Sequence, residues 1–96
     1  MARLTITVYR DAKQVGFDRP LQTISRSITA GSQQSAVISG DSGQMMYCRF
    51  CADADCDFVI GADPTAIAGT SPYLPANSTE YFGILAGDKV AVIEHA

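Results

Sequence analysis

Leu4, Ile6 and Val8 alternate with Thr5, Thr7 and Tyr9, a period of two that predicts an opening strand with one buried face. The alternation returns over Leu21–Ala30, where Ile24 and Ile28 sit among Thr, Ser and Arg. Those hydroxyls compete with helical backbone bonds, so this segment too is expected to be a strand. A short strand is predicted at Ala36–Ser39. Four apolar runs follow, at Met45–Ala52, Cys56–Ile60, Tyr81–Leu85 and Lys89–Glu94. Turn residues punctuate them: 30–34, Gly40-Asp41-Ser42-Gly43, Asp53-Ala54-Asp55 and a hairpin-like Ala86-Gly87-Asp88. Asp11–Pro20 reads as a connection. Helical signal is confined to one turn at Thr65–Ala68, with Asp63 as N-cap and Pro64 at the first helical position.

The apolar faces suggest how two of these strands pair. If Asp53-Ala54-Asp55 is a three-residue hairpin turn, Ala52 faces Cys56, Phe50 faces Phe58 and Cys48 faces Ile60, and that whole face is apolar. A two-residue turn would set the same residues against Cys51, Arg49 and Tyr47, so the three-residue turn is preferred. About six to eight short strands with turns at short intervals predict an all-β fold. The expected architecture is an antiparallel β-sandwich, jelly-roll-like or a small barrel, as a single β domain over residues 1–96. The segment 61–79, with Pro64, Gly69, Pro72 and Pro75, is long for a small domain, and such loops usually pack on something or contact something. Its apolar knot, Pro72, Tyr73, Leu74 and Pro75 with Asn77 beside it, is the candidate partner contact. The plainer reading is a loop that folds back to cap the sandwich.

Composition narrows the function classes. Only 18% of residues are charged and the net charge is −3, from ten acids and seven scattered bases. Without a basic cluster to displace phosphate counterions, nucleic-acid binding is not expected. No apolar run reaches the roughly 20 residues that cross a bilayer, and the N-terminus lacks the continuous apolar core of a signal peptide, so neither membrane insertion nor export is expected. Three cysteines, an odd number, fit free thiols in a reducing cytosol.

The candidate chemistry is sparse. Cys48-x-x-Cys51 followed by Cys56 invites a zinc reading, but side chains three apart on a strand point to opposite faces, and the one histidine, His95, lies near the chain end where fraying is expected. Small core thiols are the better reading. Asp53-x-Asp55-x-Asp57 resembles the start of a calcium loop, which next requires Gly and later Glu where this chain has Phe58 and Pro64. An acidic hairpin tip is expected instead. There is no Gly-x-Ser-x-Gly elbow and no paired base, so neither catalysis nor a cofactor is expected. Tyr47 and Tyr81 would serve a carbohydrate-binding module only as adjacent exposed rings.

The segment CRFCADADCDFVIGADPTAIAGTSPYLPANSTEYFGILAGDKVAVI resembles a pattern in small virion proteins of tailed phages and prophages. There an "ADADC" strand runs into an "IG-x-x-PTA" turn, an "S-x-x-LPA" loop, "EYF" and a "GDKVAVI" strand. The matching positions are Ala52–Cys56, Ile60–Ala66, Ser71–Ala76, Glu80–Phe82 and Gly87–Ile93. The resemblance covers about half the chain. It implies a capsid decoration or cement protein, synthesised in the host cytoplasm and residing on the virion surface. The implied partner is the major capsid protein, whose neighbouring subunits it would bridge, and the implied state is a homo-oligomer, dimer or trimer. A head–tail, tail-tip or fibre-base component is the alternative, and a carbohydrate-binding β module a further one.

Overall fold

The computed structural model describes residues 2–10, 20–41 and 43–95. Its strands are β1 (Arg3–Tyr9), β2 (Gln22–Ser27), β3 (Gln33–Gln34), β4 (Met45–Ala52), β5 (Cys56–Gly61), β6 (Tyr73–Leu74), β7 (Thr79–Leu85) and β8 (Lys89–Glu94). They form two antiparallel four-stranded sheets, ordered β2-β1-β4-β7 and β3-β8-β5-β6. The architecture is all-β and sandwich-like, and neither sheet closes into a barrel. The shortest extent, 19 Å, fits two sheets about 10 Å apart with their side chains.

Alternation decides which side chains enter the core. Leu4, Ile6 and Val8 of β1 and Met46, Cys48, Phe50 and Ala52 of β4 point inward from the first sheet. Cys56, Phe58, Val90 and Val92 meet them from the second. Phe50, Phe58 and Phe82 form a three-ring cluster with centroids 4.9–5.3 Å apart, and each such pair adds about 0.5–1.5 kcal/mol beyond its buried area. Gly40 is required where it stands. Its φ is +153°, and a Cβ there would lie 2.6 Å from Met46 Sδ.

The expected β4–β5 hairpin does not form. Both lateral sides of β4 are occupied, by β1 and β7, and β5 pairs instead with β8 and β6. Residues 53–55 are therefore a corner between sheets. The inward faces are nonetheless those the alternation predicts, because Phe50 meets Phe58 across the sandwich rather than along a ladder. The same correction applies at Ala86-Gly87-Asp88: it is a tight turn, with Gly87 at φ +96° and Asp88 N–H donating to the Leu85 carbonyl, but it joins β7 to β8 in the opposite sheet.

Three smaller expectations also change. Gln33–Gln34, assigned to a turn, is β3, whereas Ala36–Ser39 makes no ladder. There the Ser35 hydroxyl accepts the Val90 N–H, and Ile38 is held by bonds to Gly87 and Asp88 while its side chain fills the core. The turn expected at Thr65–Ala68 falls at Ile67–Ser71, because Asp63 accepts from the Gln34 amide instead of capping and Ser71 Oγ accepts from Ile67 N–H. The Asp11–Pro20 connection, apart from Pro20, and Ser42 of the glycine-flanked turn lie outside the described residues.

Candidate functional site

The two sheets differ in what covers their outer faces. The segment between β5 and β7 lies against the outer face of the second sheet, where Ala66 packs on Ala91, Ile93 and Val59. β8 is consequently buried on both faces from Val90 to Ile93, which is why it reads as a continuous apolar run. Within this segment, β6 adds a two-residue edge strand to β5, with Cys56 opposite Leu74 and Asp57 opposite Tyr73. The Phe58 N–H donates to the Pro72 carbonyl at 2.9 Å.

The five candidate contact residues therefore divide. Leu74 is fully enclosed and belongs to the main core, so its place in the contact patch is corrected: at this position the capping reading is right. Pro72, Tyr73 and Asn77 are exposed and Pro75 is half-buried. Asn77 adopts φ 61°, a left-handed conformation that Asn tolerates, and its N–H donates to the Ala52 carbonyl. The patch is thus displayed by a tethered backbone.

The aspartates of the corner supply much of that tethering. Asp53 Oδ1 accepts the Arg3 N–H at 2.6 Å, fastening the corner to the start of β1. Asp55 Oδ1 accepts the Ala76 N–H at 2.8 Å, and its carbonyl accepts from His95 N–H. Asp57, the last of the acidic run, lies on β5 as the Cys56–Ile60 strand requires, on the outer face of the second sheet, with no exposed surface. Its Oδ2 accepts the Gly69 N–H at 2.5 Å and its Oδ1 lies 2.7 Å from His95 Nδ1. Every carboxylate that suggested a calcium loop is committed to the chain itself.

His95 is likewise not a frayed end. Residues 91, 93 and 95 share a parity that carries them all to the outer face, and the pairing of Asp57 with Ile93 brings the ring alongside the carboxylate. Tyr73, opposite Asp57 on β6, stacks on the imidazole with centroids 4.2 Å apart. Partial desolvation, followed by the neighbouring Asp55 and Asp57 carboxylates, pushes the phenol of the half-exposed Tyr73 above its ordinary pKa. An aspartate–histidine pair is the base half of a nucleophilic triad. In the covering turn the Ser71 hydroxyl accepts from Ile67 N–H, and among the described residues no hydroxyl or thiol, that of Thr70 included, is bonded to the imidazole. The arrangement works as a clamp, locking the β8 end, β6 and the Gly69 turn together. No group of three or more potential metal ligands occurs among the described residues.

The cysteines separate as strand parity requires. Cys48 and Cys56 are buried core thiols, each pushed up to about 11, chiefly by burial, while Cys51 faces outward from β4. On that outer face Tyr47 and Tyr81 are adjacent, with centroids 5.2 Å apart and planes at 23°. Rings this close and this parallel are offset-stacked, so each covers one face of the other instead of forming a coplanar platform for a sugar. No family model, curated protein or solved structure matches the chain.

Proposed function

We propose that the protein is a structural component of a tailed-phage particle, a head decoration or cement protein that binds the outer face of the capsid and bridges neighbouring major capsid subunits. One observation carries the reading most: Pro72, Tyr73 and Asn77 are presented to solvent on a strand-and-clamp framework, with Leu74 anchoring that framework in the core. A preordered contact loses little conformational freedom on binding, and Tyr is a residue type enriched at interfaces. Many copies on a lattice then add modest contacts through avidity. The sequence resemblance in residues 52–93 points the same way.

The finer fold belongs to this reading as well. In a jelly roll of strands a to h, the sheets run a-h-c-f and b-g-d-e, an architecture common in viral capsid proteins. With a to g taken as β2 to β8, the second sheet follows that order and the first follows it with β1 in the place of h. We read the fold as a jelly roll whose last strand has moved to the chain's N-terminal end.

The test is co-sedimentation of the purified protein with heads of the encoding phage or prophage that lack it, followed by cryo-EM of the loaded particle. Saturable binding at lattice copy number, weakened by Tyr73→Ala and Asn77→Ala, is expected. Absence of head binding overturns the proposal, and a few copies at one vertex or on the tail gives the head–tail or tail alternative.

A further inference from the structure

Of the four sheet edges, three are protected in recognisable ways. β3 and β6 are two residues long, and β6 lies between Pro72 and Pro75. β2 is preceded by Pro20, and its Gln22 side chain both donates to the Val37 carbonyl and accepts the Ser39 N–H. Short edges, prolines and covering contacts are the usual protections against strand pairing. Among the described residues β7 has none of them. It is seven residues long, contains no proline, and carries one charge, Glu80.

The phase of its ladder identifies the unpaired groups. Ala86 N–H donates to the Gln44 carbonyl in line with the β4–β7 register, so the residues that exchange bonds with β4 are 80, 82, 84 and 86. Thr79, Tyr81, Gly83 and Leu85 turn their N–H and C=O groups to the open edge. Among the described residues the one bond there is Asp88 N–H to the Leu85 carbonyl. An unpaired row of this kind specifies its occupant's backbone: an extended strand.

The side chains specify the rest. Those same four residues point their side chains to the outer face of the first sheet, where Tyr81, Leu85 and Met45 are exposed. Met45 lies across Gly83, with its Sδ 3.1 Å from where a Cβ would be. A second β7 running antiparallel about a two-fold axis at Phe82 overlaps the strand over its whole length. Tyr81 then faces Gly83 of the other copy, where no Cβ obstructs the ring and the Met45 thioether lies beneath it. Thr79 faces Leu85, Glu80 faces Ile84, and no two like charges meet. Packing an aromatic ring over a cross-strand glycine is a favourable arrangement at sheet edges.

We propose that β7 is the interface of a symmetric homodimer, in which two first sheets join into one continuous eight-stranded sheet. Four facing pairs exchange about eight backbone hydrogen bonds. The contact surface is small: about seven strand residues per copy with a few side chains, against the 20–30 per side of a standard interface. The dimer is therefore weak in dilute solution and gains strength where copies are held close together, as on a lattice. This inference does not depend on the virion reading, and failure to bind heads leaves it standing.

Sedimentation velocity and native mass spectrometry of the whole chain over a concentration series test it, together with backbone amide exchange. The expected result is passage from the 10.2 kDa monomer to twice that mass at tens to hundreds of micromolar, about the range of small interfaces, with Tyr81 and Gly83 amides becoming protected in step. Gly83→Pro removes an outward N–H without taking a bond from the β4 ladder, and Tyr81→Lys places a charge at the seam. Each is expected to shift the midpoint at least about tenfold, equivalent to about 1.4 kcal/mol, with circular dichroism unchanged for at least one. A chain that stays monomeric to about 1 mM overturns the proposal. So does a dimer that folded variants leave intact, or one in which the β7 amides stay unprotected.

Discussion

Substituting His95, the penultimate residue, is expected to destabilise the whole domain. His95→Ala leaves Asp57 Oδ1 without its partner at 2.7 Å, in a residue with no exposed surface. An unsatisfied buried acceptor costs about 1–3 kcal/mol, and breaking a fully buried pair about 3–5 kcal/mol. The histidine side chain is 34% exposed, so water recovers part of the loss and the lower range applies. The stack on Tyr73 disappears as well. A cost of about 2 kcal/mol is expected, which for a domain of this size lowers Tm by about 8–16 °C. Urea unfolding should show a lower midpoint with an unchanged slope. Repeating the substitution in an Asp57→Asn background isolates the pair, and a coupling energy above about 0.5 kcal/mol is expected. A loss below about 0.5 kcal/mol, or the same loss in the Asp57→Asn background, would refute the clamp.

Burial sets three further outcomes. Leu74→Ala empties a fully enclosed core position and should cost about 2–5 kcal/mol, whereas Tyr73→Ala, at a half-exposed ring, should cost about 1 kcal/mol or less; comparable chemical-denaturation midpoints for the two would contradict the division of the loop into anchor and display. With a thiol reagent near pH 8, Cys51 should be modified in the native protein and Cys48 and Cys56 only on unfolding. Because burial raises both core thiols to about 11, the unfolded chain loses these protons first as pH rises past about 9, so stability should fall between about pH 9 and 11; a flat unfolding midpoint across that window would contradict it.

Much of this structure is legible in local pattern. The alternation in β1 and β4, the buried parity of Cys48 and Phe50 and the opposite parity of Cys51 all follow from the two-residue period of a strand. The long interruption of regular strands over residues 61–79 was also readable, from its prolines and its length. The clamp was not. Its single local trace is the shared parity of 91, 93 and 95, which acquires meaning once β5 and β8 are known to be neighbours.

Local pattern sets which side of β1 and β4 is buried and where most of the tight turns fall, because both depend on neighbours one to four residues away. Tertiary structure alone decided which strands pair. An apolar face is buried equally well in a hairpin or across a sandwich, so Phe50 and Phe58 meet in either case. The choice rested on the lateral hydrogen bonds of β4, already taken by β1 and β7. That same choice turned Asp55, Asp57 and a near-terminal histidine from apparent surface groups into the fastenings of the second sheet, made Asp53 a tie to β1, and left β7 as the open edge of the first.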